Sequence, residues 1–262
     1  MADGGFDDGA SFRLVAPGAP PSPQGGAAAF RLDRADAVEW LQTLSDASVS
    51  LAITDPAYES LEKHRAVGTT TRLKQSRASS NEWFQIFPNA RFPALLTELY
   101  RVLARDSHLY LFCDQETMFV VKPMAEAAGF KFWKALIWDK EQIGMGYHYR
   151  SRHELILFFE KGKRKLADLA VADVIRHPRI RGGYPAEKPV AVSEVLVRQS
   201  SSPGELVIDP FAGSGSVGVA ATRLGRDFLG ADLCAEAVAA AAARLGEAGA
   251  RRDDSRYDAV RR

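Results

Sequence analysis

Only two cysteines, Cys113 and Cys234, occur in 262 residues. They lie far apart, each in a strand or strand-end context, which argues against a structural disulfide or a zinc site and for a reducing compartment. No apolar run approaches the roughly 18 residues needed to cross a bilayer. The first residues, Met1-Ala2-Asp3-Gly4-Gly5, lack the basic-then-apolar order of a secretion signal. Neither sign of charge prevails: 34 Lys and Arg against 33 Asp and Glu leave a net charge of +1. Any nucleic-acid surface must then be a local patch. No internal repeat is present. A soluble, intracellular protein with no membrane partner is expected.

What remains is an ordinary globular composition, 46% hydrophobic and 26% charged, in a chain long enough for one sizeable core. Residues 1–27, rich in Gly, Ala, Pro and Ser, read as a disordered leader. Residues 28–248 read as the folded domain and 249–262 as a charged tail. Seven strand candidates stand out by β-branched and aromatic clustering: Ala29–Leu32, Val49–Thr54, His108–Cys113, Phe132–Trp138, Glu154–Glu160, Glu205–Asp209 and Phe228–Asp232. Helical patterns fall between most of them, at Ala35–Leu44, Pro93–Ala104, Glu116–Ala128, Lys188–Gln199, Ser214–Leu224 and Ala235–Ala248. Such alternation predicts an α/β fold, a mostly parallel sheet with helices on both faces. Phe132–Trp138 and Glu154–Glu160 have no helix between them, so this pair is expected to be antiparallel.

Two of the apolar runs end in residues that carry chemistry. Val49–Thr54 opens into Asp55-Pro56-Ala57-Tyr58. The lone pair of a nucleobase amino group is delocalised into the ring, and acceptors that bind its N–H groups free that pair for attack. The Asp55 carboxylate and the Pro56 carbonyl at a strand end suit this, with the Tyr58 ring available to stack on the base. By itself, Asp-Pro at a strand end is equally a common turn. Glu205–Asp209 opens into Pro210-Phe211-Ala212-Gly213-Ser214-Gly215-Ser216, and Asp232 closes the next strand candidate. The glycines let backbone approach a ligand, Phe211 suits packing against it, and the Asp232 carboxylate can accept two ribose hydroxyls. Glycines 213, 215 and 218 also spell the dinucleotide fingerprint, so a nicotinamide dehydrogenase is the rival reading.

Together the two motifs, in this order, resemble the S-adenosylmethionine-dependent DNA amino-methyltransferases of the beta arrangement, over about Phe30 to Leu245. The family's catalytic motif usually reads Asp-Pro-Pro-Tyr and its cofactor motif Phe-x-Gly-x-Gly. Ala57 replaces the second proline, and some loss of loop rigidity is expected. The resemblance implies a Rossmann-like, seven-stranded sheet with one antiparallel strand, and S-adenosylmethionine as cofactor. It assigns catalysis to Asp55, Pro56 and Tyr58. Cofactor binding falls to Asp36, Lys188, Asp209, Phe211, Gly213, Gly215 and Asp232. For Asp36 a helix N-cap, and for Lys188 a solvated surface lysine, are the alternatives. The leading Asp of the motif favours N6-adenine over N4-cytosine, whose enzymes more often begin with Ser. RNA as substrate, or an inactive nucleic-acid binder, would leave the motifs in place.

A base in duplex DNA must be flipped into such a pocket. Lys63, Arg65, Arg72, Lys74 and Arg77 lie in residues 59–90, which read as a mobile loop over the substrate. Tyr147 and Arg152 lie between the expected antiparallel strands, and all seven are candidate nucleic-acid contacts. Residues 161–187 form a second basic, candidate recognition segment, whose alternative is an ordinary solvated face. His148 and His153 have no further ligand to make a metal site, so none is expected. With so little chain to spare for a recognition domain, a homodimer reading a palindrome is expected. Double-stranded DNA is the expected partner, with a cognate restriction endonuclease beside it, in the cytoplasm of a bacterium or from a phage.

Overall fold

A computed structural model describes residues 28–60, 85–144, 148–182, 187–255 and Tyr257. The expected leader, most of the 59–90 loop and the end of the tail lie outside the described residues. Among the described residues nine strands form one sheet: β1 (Ala29–Arg34), β2 (Val49–Thr54), β3 (Leu103–Cys113), β4 (Lys131–Asp139), β5 (His153–Lys161), β6 (Val174–Arg176), β7 (Leu206–Asp209), β8 (Asp227–Asp232) and β9 (Arg251–Arg252). Their spatial order is β6-β4-β5-β3-β2-β7-β8-β1-β9. Only β5 runs against its neighbours, pairing antiparallel with β3 and β4. The expected architecture stands, with two short additions at the edges.

Six helices cover the sheet among the described residues: α1 (Ala37–Gln42), α2 (Phe92–Val102), α3 (Gln115–Ala127), α4 (Val190–Ser200), α5 (Ser216–Arg223) and α6 (Ala235–Glu247). The alternating pleat of the strands divides the core between two faces. On one, Trp40, Leu41, Leu95, Leu99 and Val121 from α1, α2 and α3 pack against Ala52, Leu109, Leu111, Leu157 and Phe159. On the other, Leu196, Ala220 and Leu245 from α4, α5 and α6 pack against Leu51, Ile53, Tyr110, Ile156 and Val207. Among the described residues no helix is long and apolar enough to cross a membrane.

Local chemistry explains several boundaries. Asp36 caps α1, accepting from the Val38 and Glu39 N–H groups at 3.0 and 3.3 Å. Asp114 does the same for α3 through the Thr117 N–H at 2.8 Å. The helix expected to reach Ala104 stops at Val102, because Leu103 already pairs with Val49 as the start of β3. The exposed Arg105-Asp106 pair, with Asp106 at φ 62°, hid that early start. The expected charged tail contributes β9, and Tyr257 is buried with its hydroxyl donating to the Ala29 carbonyl at 3.1 Å.

The topology places a crevice at the centre of the sheet. β2 and β7 are parallel neighbours. From β2 the chain proceeds through α2 to β3 on one side, and from β7 through α5 to β8 on the other. The loops after β2 and β7 therefore diverge to opposite faces, and ligands bind at such switch points beyond the carboxyl ends of the strands.

Candidate active site

Beyond those strand ends lies a cavity of about 720 Å³. It is lined by residues at the carboxyl ends of four parallel strands: Asp36 after β1, Asp55–Tyr58 after β2, Asp209–Ser214 from the last residue of β7 onward and Asp232 as the last residue of β8. The two sequence motifs, more than half the chain apart, thus face one space.

The Asp55 loop is braced from the side. The Phe87 N–H donates to the Ala57 carbonyl at 2.6 Å, and Tyr58 forms a β-bridge with Phe87. The buried Phe87 ring then meets Phe92 and Phe211 edge-on, with centroids 5.2 and 5.1 Å away. Phe211 belongs to the glycine loop, so one aromatic contact ties the two loops together. This bracing acts on Ala57 itself, which stands where the resembled family usually has a second proline.

Asp55 meets a row of charges. Lys188, just before α4, donates to its Oδ2. The same ammonium lies 3.2 Å from Glu154 Oε2 at the start of β5, and Glu154 Oε1 lies 2.5 Å from the Lys140 ammonium after β4. The Ser216 hydroxyl holds Lys188 by its main chain, donating to its carbonyl at 2.7 Å. Burial raises the Asp55 pKa above the ordinary carboxylate range, opposed by Lys188 and aided by the Glu154 charge. Burial also works against ionised Glu154, but Lys188 and Lys140 together hold its pKa below the usual value. Lys188 pays for its own burial through two carboxylates, whose attraction raises its pKa. The Tyr58 phenol is pushed up by burial and by the nearby negative charges.

The glycine loop is shaped by two carboxylates. Asp209, buried at 3% exposure, accepts from the Phe211 N–H at 2.9 Å. Burial lifts its pKa to about 8. Asp232 accepts from the Gly213 and Cys234 N–H groups, both at 2.9 Å, and burial raises its pKa as well. Each of its oxygens keeps acceptor capacity for a ligand. Gly213 and Gly215 stand at φ 49° and 75°. A Cβ at Gly218 would sit 2.6 Å from the Phe228 ring, which is the close helix–strand approach of the third glycine.

Asp36 carries the alternative role as well as its place on the cavity. Besides capping α1, it takes a two-point ion pair from Arg91, at 2.7 and 2.8 Å, which holds its pKa down. Lys188 is no solvated surface lysine; it is enclosed between Asp55 and Glu154. Arg152 is exposed, and its guanidinium is clasped by Asp139 at 2.6 and 2.8 Å. Lys63, Arg65, Arg72, Lys74, Arg77 and Tyr147 lie outside the described residues. The basic segment from 161 onward proves to be two things. Lys161 donates to the Tyr100 and Leu103 carbonyls, both at 2.5 Å, and Arg164 pairs with Glu205 at 2.6 Å, so these two serve the fold. Arg176 and Arg179 are exposed.

Lys140, Glu154, Arg91 and Phe87 were not among the expected site residues. Glu154 gave one signal: an acid at the head of a strand whose next six residues are all buried.

A family model described as DNA methylase, for N6 and N4 methyltransferases, matches residues 49–243. The chain is 30% identical over 212 residues to the putative methylase YubD of Escherichia coli (strain K12), covering 78% of this chain and 84% of that protein. The chain belongs to this DNA methylase family. The enzyme is also 27% identical over 245 residues to the type II methyltransferase M.HpaI of Haemophilus parainfluenzae, covering 82% of this chain and 74% of that protein. Among solved structures, the PvuII DNA methyltransferase (cytosine-N4-specific) superposes with a TM-score of 0.65 at 18% identity, over 82% of this chain and 86% of that one. That likeness concerns the fold.

Methylases of this family draw the methyl group from S-adenosylmethionine, and the cavity fits it. A Cβ on the left-handed Gly213 would meet only the Phe211 carbonyl of its own loop, at 3.9 Å, so among the described residues the backbone there is open to a ligand. The Ser193 hydroxyl on the cavity wall is fully buried, and among the described residues nothing bonds to it. A polar ligand offers it a partner.

Proposed function

We propose that this DNA methyltransferase acts on the N6 amino group of adenine at a specific site in duplex DNA, with the target base flipped into the cavity. The observation that carries the reading is that Asp55 and the glycine loop share one cavity at the β2/β7 crevice. Lys188 occupies Oδ2 of Asp55, which leaves Oδ1 to accept one amino N–H. The Pro56 carbonyl accepts the other, and the Tyr58 ring stacks on the base. With both N–H groups held, the nitrogen lone pair points at the methyl carbon, and alignment supplies much of the acceleration. S-adenosylmethionine, held by the glycine loop and Asp232, would supply a methyl group on cationic sulfur with a neutral sulfide as leaving group, and the methylated nitrogen would pass its proton to Asp55 or to water.

The remaining roles follow position. Asp232 takes the ribose hydroxyls, Gly213 and Gly215 admit the methionine portion, and Phe211 packs against the cofactor. Asp209 acts through the Phe211 main chain, Asp36 with Arg91 borders the adenine end, and Lys188 serves Asp55. Adenine is favoured by the aspartate that leads the catalytic motif. The fold does not choose the base, since a cytosine-N4 enzyme shares it. Likeness to a type II methyltransferase suggests a cognate restriction endonuclease.

Labelled methyl transfer to unmethylated bacterial DNA, followed by nucleoside separation, tests the reading. N6-methyladenine is expected. N4-methylcytosine would overturn the base, transfer only to RNA the polymer, and binding of DNA without transfer the enzyme.

A further inference from the structure

Lys140, Glu154, Lys188 and Asp55 form one row of alternating charge that runs from the end of β4 into the cavity. Their side chains are only 24%, 21%, 14% and 27% exposed, so solvent screens them weakly. Taken together the four charges cancel. The proposed reaction uses Asp55 and, through it, Lys188; Glu154 and Lys140 need a reason.

Charge flow supplies it. Methyl transfer begins with a cationic sulfur and places positive charge on the nitrogen that Asp55 holds. A lysine paired to Asp55 favours the ionised carboxylate against the effect of burial, yet its own charge opposes a cation at both atoms. Glu154 draws the same ammonium from the other side and offsets that charge. Lys140 in turn stops Glu154 from becoming an isolated buried anion. Around Asp55, burial pushes the pKa of Tyr58, Cys113 and Asp209 upward and so disfavours their charged forms.

We propose that Glu154 is a positioning residue that holds Lys188 between two carboxylates, preserving the negative field of Asp55 toward a sulfonium methyl donor, with Lys140 as its counterweight. The inference rests on Asp55 as acceptor of the amino N–H groups. Its electrostatic core is read without DNA.

The test is calorimetric titration of the full chain with S-adenosylmethionine, whose sulfur is cationic, and with S-adenosylhomocysteine, whose sulfur is neutral. Wild type is compared with Glu154→Gln and Lys140→Met. Glu154→Gln is expected to lower affinity for the sulfonium relative to the sulfide, on the order of tenfold for one uncompensated charge nearby. Lys140→Met, which removes a positive charge, is expected to move the ratio the opposite way. An unchanged ratio in Glu154→Gln, or an equal loss for both ligands, would overturn the proposal. A variant that folds poorly loses both affinities in proportion to its unfolded fraction, so the ratio remains a measure of charge. If wild type methylates no DNA while the ratio shifts as stated, the proposed substrate fails and the charge row stands. If wild type methylates DNA and the ratio stays fixed, the row is structural only.

Discussion

Lys188 donates to Asp55 across 133 residues of sequence, and this contact joins the segment before α4 to the loop after β2. It decides which Asp55 oxygen is free. It also sets how the carboxylate titrates, since burial pushes the Asp55 pKa up, Lys188 pulls it down and Glu154 pushes it up again.

An acidic limb in the rate follows. Asp55 accepts N–H groups best when ionised, and its raised pKa means that protonation sets in above the ordinary value of about 3.9. The kcat/KM for DNA should therefore fall as pH drops through a point above the ordinary carboxylate range. In Glu154→Gln the limb should move to lower pH, because a charge that raised the Asp55 pKa is gone. A limb that stays put would separate it from Asp55.

Asp209 gives a stability prediction of defined sign. Its folded pKa of about 8 lies above the usual carboxylate value, so between the two the folded state holds a proton that the unfolded state releases. The contribution is fully present below the unfolded pKa and is lost as pH rises through about 8. Asp209→Asn keeps an acceptor for the Phe211 N–H and removes the titration. Its Tm should fall less than that of wild type between pH 5 and pH 9; parallel profiles would contradict this.

The two left-handed glycines of the loop after β7, Gly213 and Gly215, should separate stability from ligand binding. A Cβ at Gly215 would lie 2.9 Å from the Ala241 Cβ, at φ 75°. Gly215→Ala should cost about 1–3 kcal/mol in urea unfolding, from backbone strain and overpacking. At Gly213 the nearest such contact is 3.9 Å, at φ 49°. Gly213→Ala should cost only about 1–2 kcal/mol of strain and show its larger effect on S-adenosylmethionine affinity. The reverse ranking would place the ligand elsewhere.

Much of this was legible in the chain because it is written locally. The seven longer strands carry dense apolar patterns, and the missing helix between β4 and β5 revealed the reversed strand. Asp55 and Gly213 announce themselves through neighbours. What escaped is short or long-range. β6 and β9 span only three and two residues and draw their pairing from β4 and β1. Lys140 and Glu154 resemble ordinary strand-end charges until the hairpin brings them together. Lys161 and Arg164 looked like part of a phosphate-binding run, whereas β5 delivers them to the opposite end of the sheet, where they bind carbonyls and Glu205. Asp36 does what a helix N-cap does, and its two-point pairing with Arg91 needed the fold to be seen.

The most direct test of the account is single-turnover methyl transfer to duplex DNA by wild type and Asp55→Asn, with S-adenosylhomocysteine affinity measured for both. The account predicts a transfer rate reduced by about 10²-fold or more, with S-adenosylhomocysteine bound nearly as well as before and N6-methyladenine as the wild-type product. An Asp55→Asn protein that transfers methyl groups at the wild-type rate would contradict it.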